Sequence, residues 1–529
     1  MTRLLVLLVL SACSTPPPEG RPAAGEFPCQ PPRPFPYADG APYLGVHGDP
    51  ANSDLIDCDS AARFETGWHA LEGLGIPQPN TFSPDGATTY VTTTHPEPDG
   101  CRLHALDVAT GALQWCRSYD PNVSAGSVEV DLDGHLYFTV TGDLVSLDAG
   151  GDERWRAALP TRADGTADSA WGVHMSPDGH VVTVTTAGTV AVFDRETGAQ
   201  RSALSIPETW GYPPVEPMEL PLDPSLLLPP EIVADIEAVF GPTDSEEANS
   251  GVGAFLGSGA FVDNTVAISP RGEIYVIGAG PDPQTGALVQ IHLSAEDGTL
   301  SPGWVAQTRL GSATSPSVSA DGRWVVIGDG ASLDRFLNPE AALGHVRIAD
   351  IDACDANTDA DPDPSVCAFA TEQEMDREPM AGAPAIAEDG TVYFYELGLG
   401  FGAGEGDRDL VALAPTGEER WRSALPDDLD WTSVITVTRN HLIGTATAVT
   451  HSDASFLSIP LPQRSPDELV VLRRTDGQVV SRLPIPDDSS ATVTLGADGS
   501  LYVGMLGLFS ILSTDERPQL GLLKVTPAG

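Results

Sequence analysis

A short apolar run that closes on Asp-Gly or a related turn, followed by a β-rich run, recurs along the chain. This repeat limits the available folds more than any other feature. The turns fall at Gly86, Gly134, Gly179, Gly272, Gly322, Gly390, Asn440 and Gly499. After each comes a strand-like stretch such as HLYFTV from His135, EIYVIG from Glu273, TVYFYE from Thr391 or SLYVGM from Ser500. A second follows, as in LVSLD to Asp148, TVAVFD to Asp194, LVALA to Ala414 and ELVVLRR to Arg474. A third often closes on a tryptophan, at Trp115, Trp155, Trp304 and Trp421. Asp-Gly turns between alternating or wholly apolar runs are hairpin signals. Four strands per unit, at about 45 to 50 residues, is the spacing of a propeller blade. The expected fold is therefore all-β: an eight-bladed β-propeller of four-stranded antiparallel sheets, with loop and short-helix insertions.

The segment Ala105-Leu106-Asp107-Val108-Ala109-Thr110-Gly111-Ala112-Leu113-Gln114-Trp115 resembles the tryptophan-docking repeat AxDxxTGxxxW of the PQQ-like propellers. Asp194, Thr197 and Gly198 keep its spacing without the tryptophan, while Asp148 to Trp155 and Ala412 to Trp421 are each one residue shorter. The resemblance extends over residues 61–529. Glycine supplies the positive φ of the hairpin, Asp or Thr bonds the local backbone, and the indole buries a large apolar face. Trp68, Trp115, Trp155, Trp304 and Trp421 are thus expected to pack between neighbouring blades. The last unit ends at Gly529 after its inner strands, and the segment from Phe64 to Leu71 reads as its missing outer strand. Supplied in this way, that strand closes the ring without a free sheet edge.

The N-terminus suggests export. Arg3 precedes an apolar run from Leu4 to Leu10, too short to span a bilayer, so residues 1–12 read as a signal peptide. Leu10-Ser11-Ala12-Cys13 resembles the bacterial lipobox, which implies a lipidated Cys13 and stable membrane attachment. Ser14 resembles the outer-membrane sorting choice, so the expected location is the outer membrane, on its periplasmic or surface face. Residues 13–60, rich in Pro, Gly, Ala and Ser, read as a stiff tether ahead of a propeller over 61–529.

Lys and Arg number 27 against 75 Asp and Glu, a net charge of -48. Nucleic acid and anionic lipid surfaces both require clustered cations, so neither is an expected partner. The membrane is expected to be met through the lipid anchor alone. Lys524 is the sole lysine, and its context fits no phosphate-binding loop, kinase lysine, Schiff base or Ser-x-x-Lys nucleophile.

Setting Cys13 aside leaves six cysteines, an even number that suits disulfides in an exported protein. Fifteen pairings are allowed. The local set is favoured: Cys29 with Cys58, Cys101 with Cys116, and Cys354 with Cys367. Two insertions interrupt the repeat, near residues 205–259 and 353–380. The first carries a helix-like stretch from Pro230 to Gly241, whose apolar stripe is expected to pack on the propeller. The second presents Asp355, Asn357, Asp359, Asp361 and Asp363, oxygen ligands at every second residue that suit calcium. It resembles the start of an EF-hand loop, yet Ala360 stands where the turn glycine belongs and Val366 where the bidentate glutamate belongs. The other reading is an exposed acidic loop held by one disulfide. The alternating glycines from Gly398 to Gly406 read as a loop between strands, and the eleven histidines fall into no metal motif.

PQQ-like propellers divide into quinoprotein dehydrogenases and non-catalytic BamB-type relatives. The resemblance to the dehydrogenases implies a quinone beside a disulfide between adjacent cysteines, with calcium beneath it and a catalytic Asp. No two cysteines here are adjacent. The expectation is a monomeric, non-enzymatic module without bound quinone, which binds envelope proteins through its propeller loops. The alternative is a quinoprotein-like dehydrogenase or another enzyme with its site in the central funnel.

Overall fold

Eight antiparallel sheets follow one another along the chain in the computed structural model. It describes residues 45–528 apart from 95–99, 120–125, 215–232, 235–260, 263, 283–284, 313, 330–343, 361–366, 375–383, 396–408, 426–428, 448–449, 457–458, 464–466 and 508–517. Blade 1 is built from Thr81–Phe82, Thr88–Thr92, Leu103–Asp107 and Leu113–Arg117. Blades 2 to 7 span residues 129–158, 173–205, 267–308, 317–374, 385–424 and 436–485. Blade 8 takes Thr494–Leu495, Leu501–Met505 and Gly521–Pro527 from the C-terminal end, and its outer strand is Phe64–Ala70. The ring therefore closes as the sequence suggests.

The innermost strand of each blade is only two or three residues long, and side-chain hydrogen bonds join neighbours around the ring. The Ser317 hydroxyl donates to Pro384 O at 2.5 Å, Thr436 to Val493 O, and Thr494 to Asn80 Oδ1 at 2.7 Å. The middle strands have blade on both faces, so residues such as Val181, Val182, Val190 and Val192 are fully buried.

The tryptophans pack from blade to blade. The Trp155 indole N–H donates to Arg195 O at 3.0 Å, and a Cβ at Gly198 would lie 2.5 Å from the Trp155 ring. Gly198 has a φ of 70°, so glycine is required there both for backbone conformation and for the ring's approach. The same contact joins Trp68 to Gly111, Trp115 to Gly151 and Trp421 to Gly477, each across one blade boundary. Within the blade, each indole also faces a tyrosine of the second strand. The pairs Trp68–Tyr502, Trp115–Tyr90, Trp155–Tyr137, Trp304–Tyr275 and Trp421–Tyr393 have centroids 5.7, 5.9, 5.9, 5.8 and 5.9 Å apart. Ala105 stands in register between Tyr90 and Trp115, and Ala412 between Tyr393 and Trp421. The small residue of the repeat leaves room for the two rings on either side.

Trp304 is the exception. Its N–H donates to the Asp355 carboxylate at 3.0 Å, on the helix Ile351–Ala360, instead of to a turn carbonyl. This helix corrects the expectation of a loop across the second insertion. Asp355 also accepts from the Gln290 amide at 3.1 Å and so holds down blade 4. Asn357 and Asp359 lie on the same helix. Asp361 and Asp363 lie outside the described residues, as do Cys13, Cys29 and the glycine loop from Gly398 to Gly406. Of the stretch from Pro230 to Gly241, only residues 233 and 234 are described, and both are helical.

Two of the favoured disulfides are present: Cys101 with Cys116, Cα atoms 5.7 Å apart, and Cys354 with Cys367, 5.1 Å apart. Cys58 is disulfide-bonded as well. No helix among the described residues is long and apolar enough to cross a membrane.

Candidate functional site

Residues 45–56, which fall within the tether expected over 13–60, are all buried. They form a compact loop. The Asp54 amide donates to His47 O at 3.1 Å, and the His47 Nδ1 lies 2.9 Å from Asp54 Oδ2. Within the loop, the Asp49 carboxylate accepts from the amides of Ala51 and Ser53 at 2.9 and 3.2 Å and from the Ser53 hydroxyl at 2.6 Å. His47, Asn52 and Asp54 have φ values of 59°, 54° and 51°. These are among the non-glycine residue types that tolerate the left-handed region best.

The loop plugs the axis of the ring. The amides of Ile268, Val318, Ile386 and Val437, on the innermost strands of blades 4 to 7, donate to the carbonyls of Pro50, Ala51, Ser53 and Asp54 at 2.6, 2.8, 2.9 and 2.8 Å. Between them, the Asn52 amide group donates to Val266 O at 2.8 Å and Pro316 O at 3.0 Å. Leu55–Ile56 then pairs in parallel with the innermost strand of blade 7, and the Thr492 hydroxyl donates to Asp54 Oδ1 at 3.2 Å from the blade 8 side. Four consecutive blades thus hold the plug by its backbone.

Blades 2 and 3 meet it differently. Glu129, on the innermost strand of blade 2, and His174, on that of blade 3, are fully buried, with Oε2 and Nδ1 3.7 Å apart. Among the described residues, no side chain donates to either Glu129 oxygen, and neither ring nitrogen of His174 has a hydrogen-bond partner. Gly45 packs directly on this carboxyl, where a Cβ would fall 1.9 Å from Glu129 Oε2. Burial pushes the Glu129 carboxyl well above its ordinary range, with Asp49 and Asp131 adding to the effect and the Met175 amide opposing it. Burial raises Asp49 to about 6 despite its bonds to Ser53. Burial, with His47 nearby, lowers His174 to about 3.

The remaining titratable groupings have partners of their own. Asp131, Asp133 and His135 converge, but Arg195 Nη1 stands 3.4 Å from Asp131 and 3.6 Å from Asp133 and supplies the cation. Asp467, Asp487 and Asp488 form a second buried group, each with further partners. A cavity of about 590 Å³ opens at the rim between blades 1 and 2 beside Arg117, Tyr119 and Arg156. Both guanidinium groups there are already bonded, Arg117 to Gly151 O and Arg156 to Asp143 and Glu153. Lys524, the sole lysine, is buried at the closing seam, where its ammonium donates to Val108 O at 3.0 Å and Asp498 Oδ2 at 2.8 Å.

Residues 99–210 match the family model described as outer membrane protein assembly factor BamB. No curated protein matches the sequence. Among solved structures, the chain is similar to the quinohemoprotein alcohol dehydrogenase of Comamonas testosteroni at 12% identity and a TM-score of 0.56, covering 93% of this chain and 81% of that one. A europium-containing methanol dehydrogenase is similar at 14% identity and a TM-score of 0.52, covering 92% and 97%. BamB from Moraxella catarrhalis aligns at 13% identity and a TM-score of 0.46, covering 88% and 99%. At these identities the likeness is one of fold. The residues present do not fit a quinone on the axis, since no two cysteines are adjacent and residues 45–56 fill the centre against blades 4 to 7. The chain is an eight-bladed β-propeller whose residues 99–210 match the family model named for BamB.

Proposed function

We propose that this chain is a lipid-anchored propeller of the bacterial envelope that binds other envelope proteins through its rim and loops rather than catalysing a reaction. On this reading residues 1–12 are removed on export, Cys13 carries the lipid at the outer membrane, and the tether ends before residue 45. The observation that carries the proposal is the plug. In a propeller the central funnel is the natural place for convergent catalytic groups, and here four blades spend their axial amides on the chain's own backbone. The family description over residues 99–210 favours an envelope setting, and the burial of Lys524 at the seam favours a structural role for that residue.

Two measurements on the full chain test this. Crosslinking in intact envelopes should recover a discrete protein partner in constant ratio to the propeller, and recovery of none would count against binding. Reconstitution with PQQ and calcium should give no dye reduction across alcohols and sugars, whereas turnover would establish the enzymatic alternative.

A further inference from the structure

The plug is held unevenly. On the side of blades 4 to 7 it receives four backbone hydrogen bonds, while on the side of blades 2 and 3 it covers a carboxyl and an imidazole that lack hydrogen-bonding side chains. A buried polar group without a partner is normally a source of instability unless it is uncharged. Glu129 and His174 can both be uncharged at once, the acid protonated and the base not. Release of the plug would admit water to both.

We propose that Glu129 is a proton-operated latch for the axial plug: the protonated carboxyl keeps residues 45–56 seated, and loss of its proton favours their release from the axis. The titratable groups facing this point are His47, Asp49 and Asp54 on the plug, Asp131 just past the Glu129 strand and His174 on the neighbouring blade. Asp131 is already bonded to His135, Tyr137 and Arg195, and Asp54 to His47 and Thr492. Asp49 is ringed by three donors within the plug. Glu129 alone among these carboxylates faces the plug with only an opposing backbone amide to favour its charge.

The pH dependence follows from proton linkage. Glu129 binds its proton more tightly with the plug seated than in water, so the seated state loses ground as pH rises above the ordinary carboxylate range. Asp49 acts in the same direction up to about pH 6. His174 acts in the opposite direction between about 3 and its ordinary 6.5, because water-exposed imidazole binds the proton more readily there. Above pH 6.5 the raised Glu129 continues to weaken seating, by at most about tenfold per pH unit.

The test uses hydrogen-exchange mass spectrometry of the full chain from pH 6.5 to 8.5, on peptides covering Ile268, Val318, Ile386 and Val437. These are the amides that bond to the plug. After correction for intrinsic exchange, their protection should fall as pH rises, by at most about tenfold per pH unit. The strands His180–Val184 and Thr189–Asp194 of blade 3 should stay constant and serve as an internal reference for the global fold. In Glu129→Gln, which is neutral at every pH, the dependence should vanish. Flat protection in the wild type, the same slope in Glu129→Gln, or an equal loss in the blade 3 strands would each overturn the latch. The blade 3 comparison within the wild type decides the question even if the variant fails to fold.

Discussion

Gly198 and Gly211 share a φ of 70°, but their surroundings differ. A Cβ at Gly198 would meet the Trp155 ring at 2.5 Å, whereas one at Gly211, which caps the helix Ile206–Trp210, would meet nothing within 4 Å. Alanine at either site incurs the left-handed backbone penalty of about 1–2 kcal/mol. At Gly198 it should also displace the docked indole, adding about 1–3 kcal/mol of overpacking. Guanidinium unfolding followed by circular dichroism should therefore rank Gly198→Ala below Gly211→Ala by that second amount. Trp155→Ala removes the clash, so in its background Gly198→Ala should fall to the cost of Gly211→Ala, and the coupling between the two sites should equal the lost difference. Equal costs for the two glycine variants, or an excess at Gly198 that persists without the indole, would refute the docking explanation of the repeat.

Asp355→Ala should lower stability by about 1–3 kcal/mol by leaving the Trp304 and Gln290 donors unmatched. Thermal melting should give the same loss in calcium and in chelator. Replacing Cys101 and Cys116 by serine opens a link across 15 residues and should cost about 3 kcal/mol, measurable by the same denaturation. Lys524→Met keeps the buried stem but removes the bonds to Val108 and Asp498. A loss of about 1–3 kcal/mol is expected, with faster hydrogen exchange concentrated in Phe64–Ala70 and Gly521–Pro527.

The features legible in the sequence are those whose signals are local. A turn glycine and a tryptophan four residues on, as at Gly111 and Trp115 or Gly151 and Trp155, lie within one hairpin, so the blades, the ring closure and the docking tryptophans could be inferred from Gly111, Gly198 and Trp155 themselves. The tyrosine partners were open to the same inspection, because LYFTV, IYVIG, VYFYE and LYVGM place a tyrosine at the same position of the second strand. The helix at Ile351–Ala360 was not legible. Asp, Asn and Thr are modest helix formers, and the segment is fixed by tertiary contacts: Ile351 in the core, Cys354 in its disulfide and Asp355 on Trp304. The plug was hidden for a related reason. Residues 47–54 carry the Gly, Pro, Asn and Asp of an ordinary surface loop, and what draws them to the axis is a set of backbone amides more than 200 residues away.

That long-range origin bears on how firmly the axis is closed. Most contacts of a blade are made within the blade or with the next one, whereas the plug is joined to the ring by backbone bonds worth about 0.5–1.5 kcal/mol net each, by Asn52 and Thr492, and by the burial of Ala51, Leu55 and Ile56. A tenfold shift in an equilibrium is about 1.4 kcal/mol, so one proton at Glu129 over one pH unit weighs as much as one of those bonds. The internal bridges from His47 to Asp54 and from Asp49 to Ser53 hold the loop in shape before it docks, which limits the ordering that seating must impose. A preformed loop can leave and return as a unit while the blades, joined by their tryptophans, stay in place. The propeller can thus be rigid at its rim, where partners would bind, and adjustable at its centre.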